Sequence, residues 1–303
     1  MTAWTSRSLG SRLQHSIFYA LISFGGVRMA YALLFWVTLW YLFKPEAVRR
    51  NEPYLARRFP QPCFLMRLVH RWRRQWEFGK VLVDRAAGGL RGGHCNDLSR
   101  EDRNSLTRIH EEGKGLILLT AHVGNWQLSI AGLPGLLPTP INFVLYRDLG
   151  DVARHYFEHR SETPPFNFID PSGGPESVFA MAQTLFKGGT LGIMGDRPFG
   201  NAHNCRVPFL GGIVSLPYTP YYLASVTSAP IVITFSYRYG VMKVSNVIAS
   251  ILRVPANLGK NPAVYEPYAR HFVETLEESA RNHPYQFFNF YNMWDSNGSQ
   301  EQT

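Results

Sequence analysis

From about residue 97 onward, short apolar runs alternate with stretches of helical period, and this alternation narrows the possible folds more than any other feature. Residues 97–115 read as a helix capped by Asp97 or Ser99 and stopped by Gly113 or Gly115. "LILLT" (116–120) is a buried strand, followed by strand "INFVLYR" (141–147), helix "VARHYFEHR" (152–160) and short strand "FNFID" (166–170). Glu176 to Phe186 has an amphipathic helical period, and "TLGIMGD" (190–196) is the next strand. A helix through Tyr218 to Val226 leads to strand "IVITFSYRY" (231–239). A turn at Gly240 joins it to "MKVSNVIAS" (242–250) as an antiparallel hairpin. A long helix over 262–282 and the aromatic segment "HPYQFFNFYNMW" (283–294) close the chain. Strands alternating with helices predict an α/β fold, a largely parallel mixed sheet flanked by helices.

Ahead of this body lies a different kind of sequence. Residues 17–43 carry a single charge, Arg28, beside Gly25-Gly26. A spanning helix needs roughly 20 apolar residues, so the stretch is long enough to cross a bilayer. Broken at the glycine pair, it would instead lie in the interface as a monotopic anchor. No small-residue cleavage site follows it, so it does not read as a cleavable signal. Next comes an excess of cations: Lys44, Arg49, Arg50, Arg57, Arg58, Arg67, Arg71, Arg73 and Arg74 against Glu46 and Glu52. Such an excess beside an apolar segment predicts the cytoplasmic side of a membrane and contact with anionic lipid. Trp72 and Trp76 share a helical face and suit headgroup depth. The expected organisation is a membrane anchor (1–44), a basic helical segment (45–96), an α/β domain (97–295) and a polar tail (296–303).

Composition excludes several classes. Of 303 residues, 45% are hydrophobic and 17% charged, which excludes disorder and is poor in charge for a freely soluble protein. The net charge of +9 suits an anionic surface, but no basic stripe of a nucleic-acid module is present. Cys63, Cys95 and Cys205 have no paired spacing, and His94-Cys95 and His203-x-Cys205 are too sparse to hold a metal. No metal and no cofactor are expected.

Polar residues stand at the carboxyl ends of three predicted strands: His122, Arg147 and Asp196. In a parallel sheet those ends share one edge, so the three side chains can converge on one crevice. His122 has the pKa of a general base, Arg147 the fork geometry for a phosphate or carboxylate, and Asp196 precedes a Gly/Pro turn. Taken singly, each also reads as a core histidine, a strand-end ion pair or a tight turn. Backbone amides near Gly124 and the helix starting at about Trp126 are candidate oxyanion donors.

"AHVGNWQ" (121–127) resembles the first block of the lysophospholipid acyltransferase superfamily, in the branch of the lipid A late acyltransferases. "FVLYRDLG" resembles the arginine-bearing second block, "LGIMGDRPFG" the aspartate-bearing third, and "PYQFFNFYNMW" the closing aromatic segment. The resemblance implies a membrane-associated acyltransferase, moving a fatty acyl chain from a thioester of acyl carrier protein or coenzyme A to a lipid hydroxyl or amine. It implies the cytoplasmic face of a bacterial inner membrane as the place, and membrane lipid and the thioester donor as partners. It also implies His122, Gln127 and Asp196 as catalytic positions, and Gly124, Asn125, Trp126, Arg147 and Arg197 as substrate-binding ones.

One position departs from the pattern. Where the family places an acid five residues after the histidine, this chain has Gln127. An amide can hold a tautomer but stabilises imidazolium poorly. Three readings stay open: an enzyme attenuated at this step, favoured on the sequence; an enzyme in which Asp196 supplies the charge; and an idle lipid-binding relative. Under the first, Gln127→Glu raises turnover tenfold or more. Under the second it does little. A membrane-bound thioesterase is a further, weaker option.

Overall fold

The computed structural model describes residues 12–130, 141–145, 166–197 and 204–294. Among them the strands are β1 (Cys95–Leu98), β2 (Leu116–Thr120), β3 (Ile141–Val144), β4 (Phe166–Ile169), β5 (Thr190–Met194), β6 (Asn204–Phe209), β7 (Gly212–Pro217), β8 (Ile231–Gly240) and β9 (Lys243–Leu252). The helices are α1 (Arg12–Tyr41), α2 (Pro45–Arg58), α3 (Phe64–Arg91), α4 (Arg100–Glu111), α5 (Trp126–Ile130), α6 (Pro175–Phe186), α7 (Thr219–Thr227) and α8 (Glu266–Asn282).

Seven strands form one sheet in the order β1-β9-β8-β2-β5-β3-β4. The five from β8 to β4 run parallel, whereas β9 returns antiparallel to β8 and pairs with β1. Central β2 and β5 are buried on both faces, as their unbroken apolar runs require. One face packs under α7 and α8, with Ile117, Leu119, Ile193, Phe272 and Leu276 in its core. On the other, Leu116, Leu118, Phe143 and Val232 meet Leu106 and Ile109 of α4.

The α/β architecture and the parallel sheet agree with the sequence reading, and so does the β8–β9 hairpin. Two elements were missing from it. Residues 95–98 form an edge strand before Ser99 caps α4, its hydroxyl accepting from the Asp102 amide. Residues 204–217 form a separate antiparallel hairpin, β6–β7. The expected helix 152–160 lies outside the described residues, as do residues 146–147 of the expected strand.

Helix α1 is long and apolar enough to cross a membrane by length and composition. Its backbone kinks at Gly26, whose φ of 77° leaves the helical region. One face packs on α3, burying Ile22, Ala30 and Leu34 against Val83 and Ala87. The opposite face exposes Phe24, Trp36, Trp40 and nearby Phe43. Trp72 and Trp76 stack on each other, their rings 6.0 Å apart, and both meet Phe35 of α1. Their apolar partner is thus α1. Arg74, one of the nine cations, is fully buried and faces no lipid. It donates to the carbonyls of Phe287 and Asn289 and to Asn51 Oδ1, pinning the closing aromatic segment to α3.

Candidate active site

Register brings the site together. β2 and β5 pair in parallel from Leu116↔Thr190 to Thr120↔Met194, so residues two beyond each end stand at one level. Those residues are His122 and Asp196. Gly195 N donates to Thr120 O at 2.7 Å and extends the ladder by one step. His122 Nδ1 then lies 2.9 Å from Asp196 Oδ1 and 3.0 Å from Oδ2, and the His122 backbone N–H donates to Oδ2 at 3.2 Å. The carboxylate therefore fixes both the ring and the backbone that carries it.

The strand must turn sharply into α5. Gly124 sits at φ 57°, and a Cβ there would fall 1.9 Å from Ser236 O, so only glycine fits. The turn is tied down on both sides. Gly124 N donates to Gln286 O, Asn125 N to Ser236 O, and Phe288 N to His122 O. The closing aromatic segment and β8 thus clamp the histidine loop. The Gly124 and Asn125 amides are engaged within the fold and are not open to a substrate oxygen. Asn125 is buried, its Oδ1 capping α5 at Leu128 N, and its Nδ2 has no hydrogen-bond partner among the described residues.

Electrostatics set the protonation. Burial, and after it the Arg197 guanidinium, push His122 below the ordinary histidine value against the opposing pull of Asp196. Burial alone would raise Asp196, but His122 and Arg197 outweigh it and hold the acid below the ordinary carboxylate value. At neutral pH an ionised carboxylate can only accept, so Nδ1 carries the proton and Nε2 has the lone pair. Among the described residues Nε2 has no hydrogen-bond partner, and the side chain is 20% exposed. This is the arrangement of a base with one nitrogen held and one offered.

Gln127 is placed elsewhere. Its Oε1 accepts from Arg85 Nη1 of α3 at 2.8 Å, joining α5 to α3. The ring partner is Asp196. Trp126 meets the His122 ring edge to face at 6.3 Å. Arg197 turns toward the closing segment, its Nη2 3.5 Å from Phe288 O and its guanidinium 5.8 Å from the Tyr291 ring. Arg147 lies outside the described residues. Arg85 and the loop-clamping Gln286 were not singled out from the sequence: Arg85 lies in no recognised block, and Gln286, inside the closing aromatic segment, clamps the loop through its backbone carbonyl, which no side-chain pattern announces.

Near the dyad the sheet opens into a cavity lined by Leu98, Leu106, Leu118, Phe143, Val232 and Trp126, among others. Side chains alternate along a strand, so Leu118, Thr120 and His122 share a face, as do Gly192, Met194 and Asp196. The dyad thus stands at the end of the cavity's own face. Gly192 is bare because the Phe143 ring lies where its Cβ would be, at 2.4 Å. No group of side chains able to hold a metal occurs among the described residues.

A model of the family described as bacterial lipid A biosynthesis acyltransferase matches residues 96–296. No individual curated protein matches the chain significantly.

Proposed function

Since the chain belongs to the bacterial lipid A biosynthesis acyltransferase family, we propose that it transfers an acyl chain from a thioester to a lipid hydroxyl or amine, with His122 as general base. The observation that carries this reading is the His122–Asp196 pair, with Nε2 unoccupied at the end of an apolar cavity. Nε2 takes the proton of the acceptor as its oxygen or nitrogen attacks the thioester carbonyl. The tetrahedral intermediate collapses, the carbon–sulfur bond breaks, and the imidazolium returns the proton to the leaving thiolate. Asp196 holds the tautomer in the first half and balances the imidazolium between the two. The acceptor supplies the nucleophile, so neither a serine nor a cofactor is required.

The cavity suits the acyl chain because most of its wall is apolar. Helix α1 is the membrane anchor, with its exposed aromatic face in the lipid. The basic segment beside the apolar helix supports a reading with the work done at the cytoplasmic face of an inner membrane and acyl carrier protein or coenzyme A as the donor's carrier. Asp196 on the ring weighs against an idle relative, whose main support was the amide at position 127. The test is thioester consumption by purified protein, with and without a lipid acceptor. Acceptor-dependent thiol release that His122→Ala abolishes is expected. Release of free acid without acceptor would identify a thioesterase.

A further inference from the structure

The cavity wall is uneven, and its unevenness has a direction. Toward the amino ends of the strands it is made of Leu106, Leu118, Phe143, Gly192 and Val232. Toward the dyad, beside Met194 and Trp126, it gains polar groups: Thr120 on β2, Ser236 on β8, Asn246 on β9 and Ser129 on α5. The register fixes this order, since Asn246 pairs with Ser236, which bridges to Gly124 in the histidine loop.

Asn246 is 8% exposed, and its Oδ1 accepts from both Ser236 Oγ, at 2.9 Å, and Ser129 Oγ. Among the described residues its amide nitrogen has no hydrogen-bond partner. Exchanging the two ends of the amide would let the nitrogen meet the hydroxyls and would orphan the oxygen instead. Either way one polar end of this cavity-lining side chain has no partner among the described residues. The Thr120 hydroxyl, two residues before His122, likewise has no hydrogen-bond partner among the described residues. A plain hydrocarbon threaded past these groups would exclude water from them and give nothing in return.

We propose that the donor chain carries a hydroxyl on the first few carbons from its thioester, and that Asn246 and Thr120 recognise it. Two residues of strand span about 7 Å, which sets the reach from the reacting carbonyl. Below that level the wall is apolar, so the rest of the chain is plain hydrocarbon. The inference rests on the acyl-transfer reading and deepens it: it names the class of donor.

Competition between dodecanoyl and 3-hydroxydodecanoyl thioesters at equal concentration, with products counted by mass, reads the preference in the full chain. A preference of about tenfold for the hydroxylated donor is expected in wild type, falling to near one in Asn246→Leu. Thr120→Val, which keeps side-chain shape and removes only the hydroxyl, is expected to remove part of it. Displacement of a fluorescent fatty acid by dodecanoic and 3-hydroxydodecanoic acids gives the same ratio without turnover. Absence of turnover with an intact binding ratio that Asn246→Leu abolishes would sink the transfer reading and leave the pocket assignment standing. Turnover of both donors at a ratio near one, in wild type and in both variants, would overturn this inference and leave acyl transfer standing.

Discussion

Among the described residues two aspartates, Asp84 and Asp196, are completely buried, and they behave differently. Asp84 of α3 accepts from Arg238 Nε of β8 at 2.7 Å and from the Tyr31 hydroxyl of α1, which in turn accepts from Arg238 Nη2. Asp196 accepts from His122, whose second nitrogen has no partner among the described residues. Both are charged groups withdrawn from water, and each has a cationic or potentially cationic partner. In the first, both carboxylate oxygens and the phenol are engaged, and the cluster binds three elements into one body. In the second, one atom is left over, on a residue two positions beyond Thr120 of the cavity wall. Burial of a charged pair marks a place where folding needs compensation. An unmatched, accessible atom is what separates a reacting pair from a binding one.

Three measurements sharpen or break that contrast. The largest expected effect is on turnover. His122→Ala should lower kcat by about 10²–10⁴, the usual contribution of a positioned base. The thermal midpoint should stay near that of wild type. A midpoint that collapses along with activity would move His122 to the structural side. The converse is expected of Asp84→Asn. It leaves Arg238 charged and buried without its counter-ion, a change of the kind that costs about 3–5 kcal/mol. Stability measured by denaturant should fall accordingly, while kcat per folded molecule survives. Loss of kcat at unchanged stability would contradict the division.

A smaller effect appears in the pH profile. His122 must be neutral to accept a proton, and its folded value lies below the ordinary 6.5. The rate should therefore be level through neutrality, bending only below 6.5 and then falling about tenfold per unit. Asp84→Asn should leave the position of this bend alone. A bend above 6.5 would mean that Asp196, which favours the protonated ring, outweighs burial.

Much of this was legible because strand patterns are local. The apolar runs of β2 and β5 are unbroken, so their burial follows from composition alone. His122 and Asp196 each end such a run, and in-phase pairing of neighbouring strands did the rest. The β6–β7 hairpin escaped because its signal is short: Val207 and Phe209 against Val214 and Leu216, turning at Leu210-Gly211. The edge strand β1 was hidden by its exposed and half-buried pattern.

Long-range partners were not legible at all. Arg74 looked like one more surface cation, yet its partners are carbonyls 213 and 215 positions away. Gln127 looked like a weakened partner for His122 because the two are close in sequence. Its own partner, Arg85, approaches from a helix 42 positions upstream. The favoured reading from sequence, attenuation at position 127, assumed that this side chain faces the imidazole. The fold gives that place to Asp196.

The account therefore turns on which side chain supports the base, and turnover of Asp196→Asn and Gln127→Glu measured side by side tests this most directly. An acid-to-amide change behind a catalytic histidine costs about 10⁴ in a serine protease, so Asp196→Asn should lose on the order of 10³ or more. Gln127→Glu should stay within about twofold of wild type, since the new charge would pair with Arg85 at a cost or gain that does not change between ground and transition state. A Gln127→Glu variant at least tenfold faster than wild type, beside an Asp196→Asn variant that keeps its rate, would contradict the account.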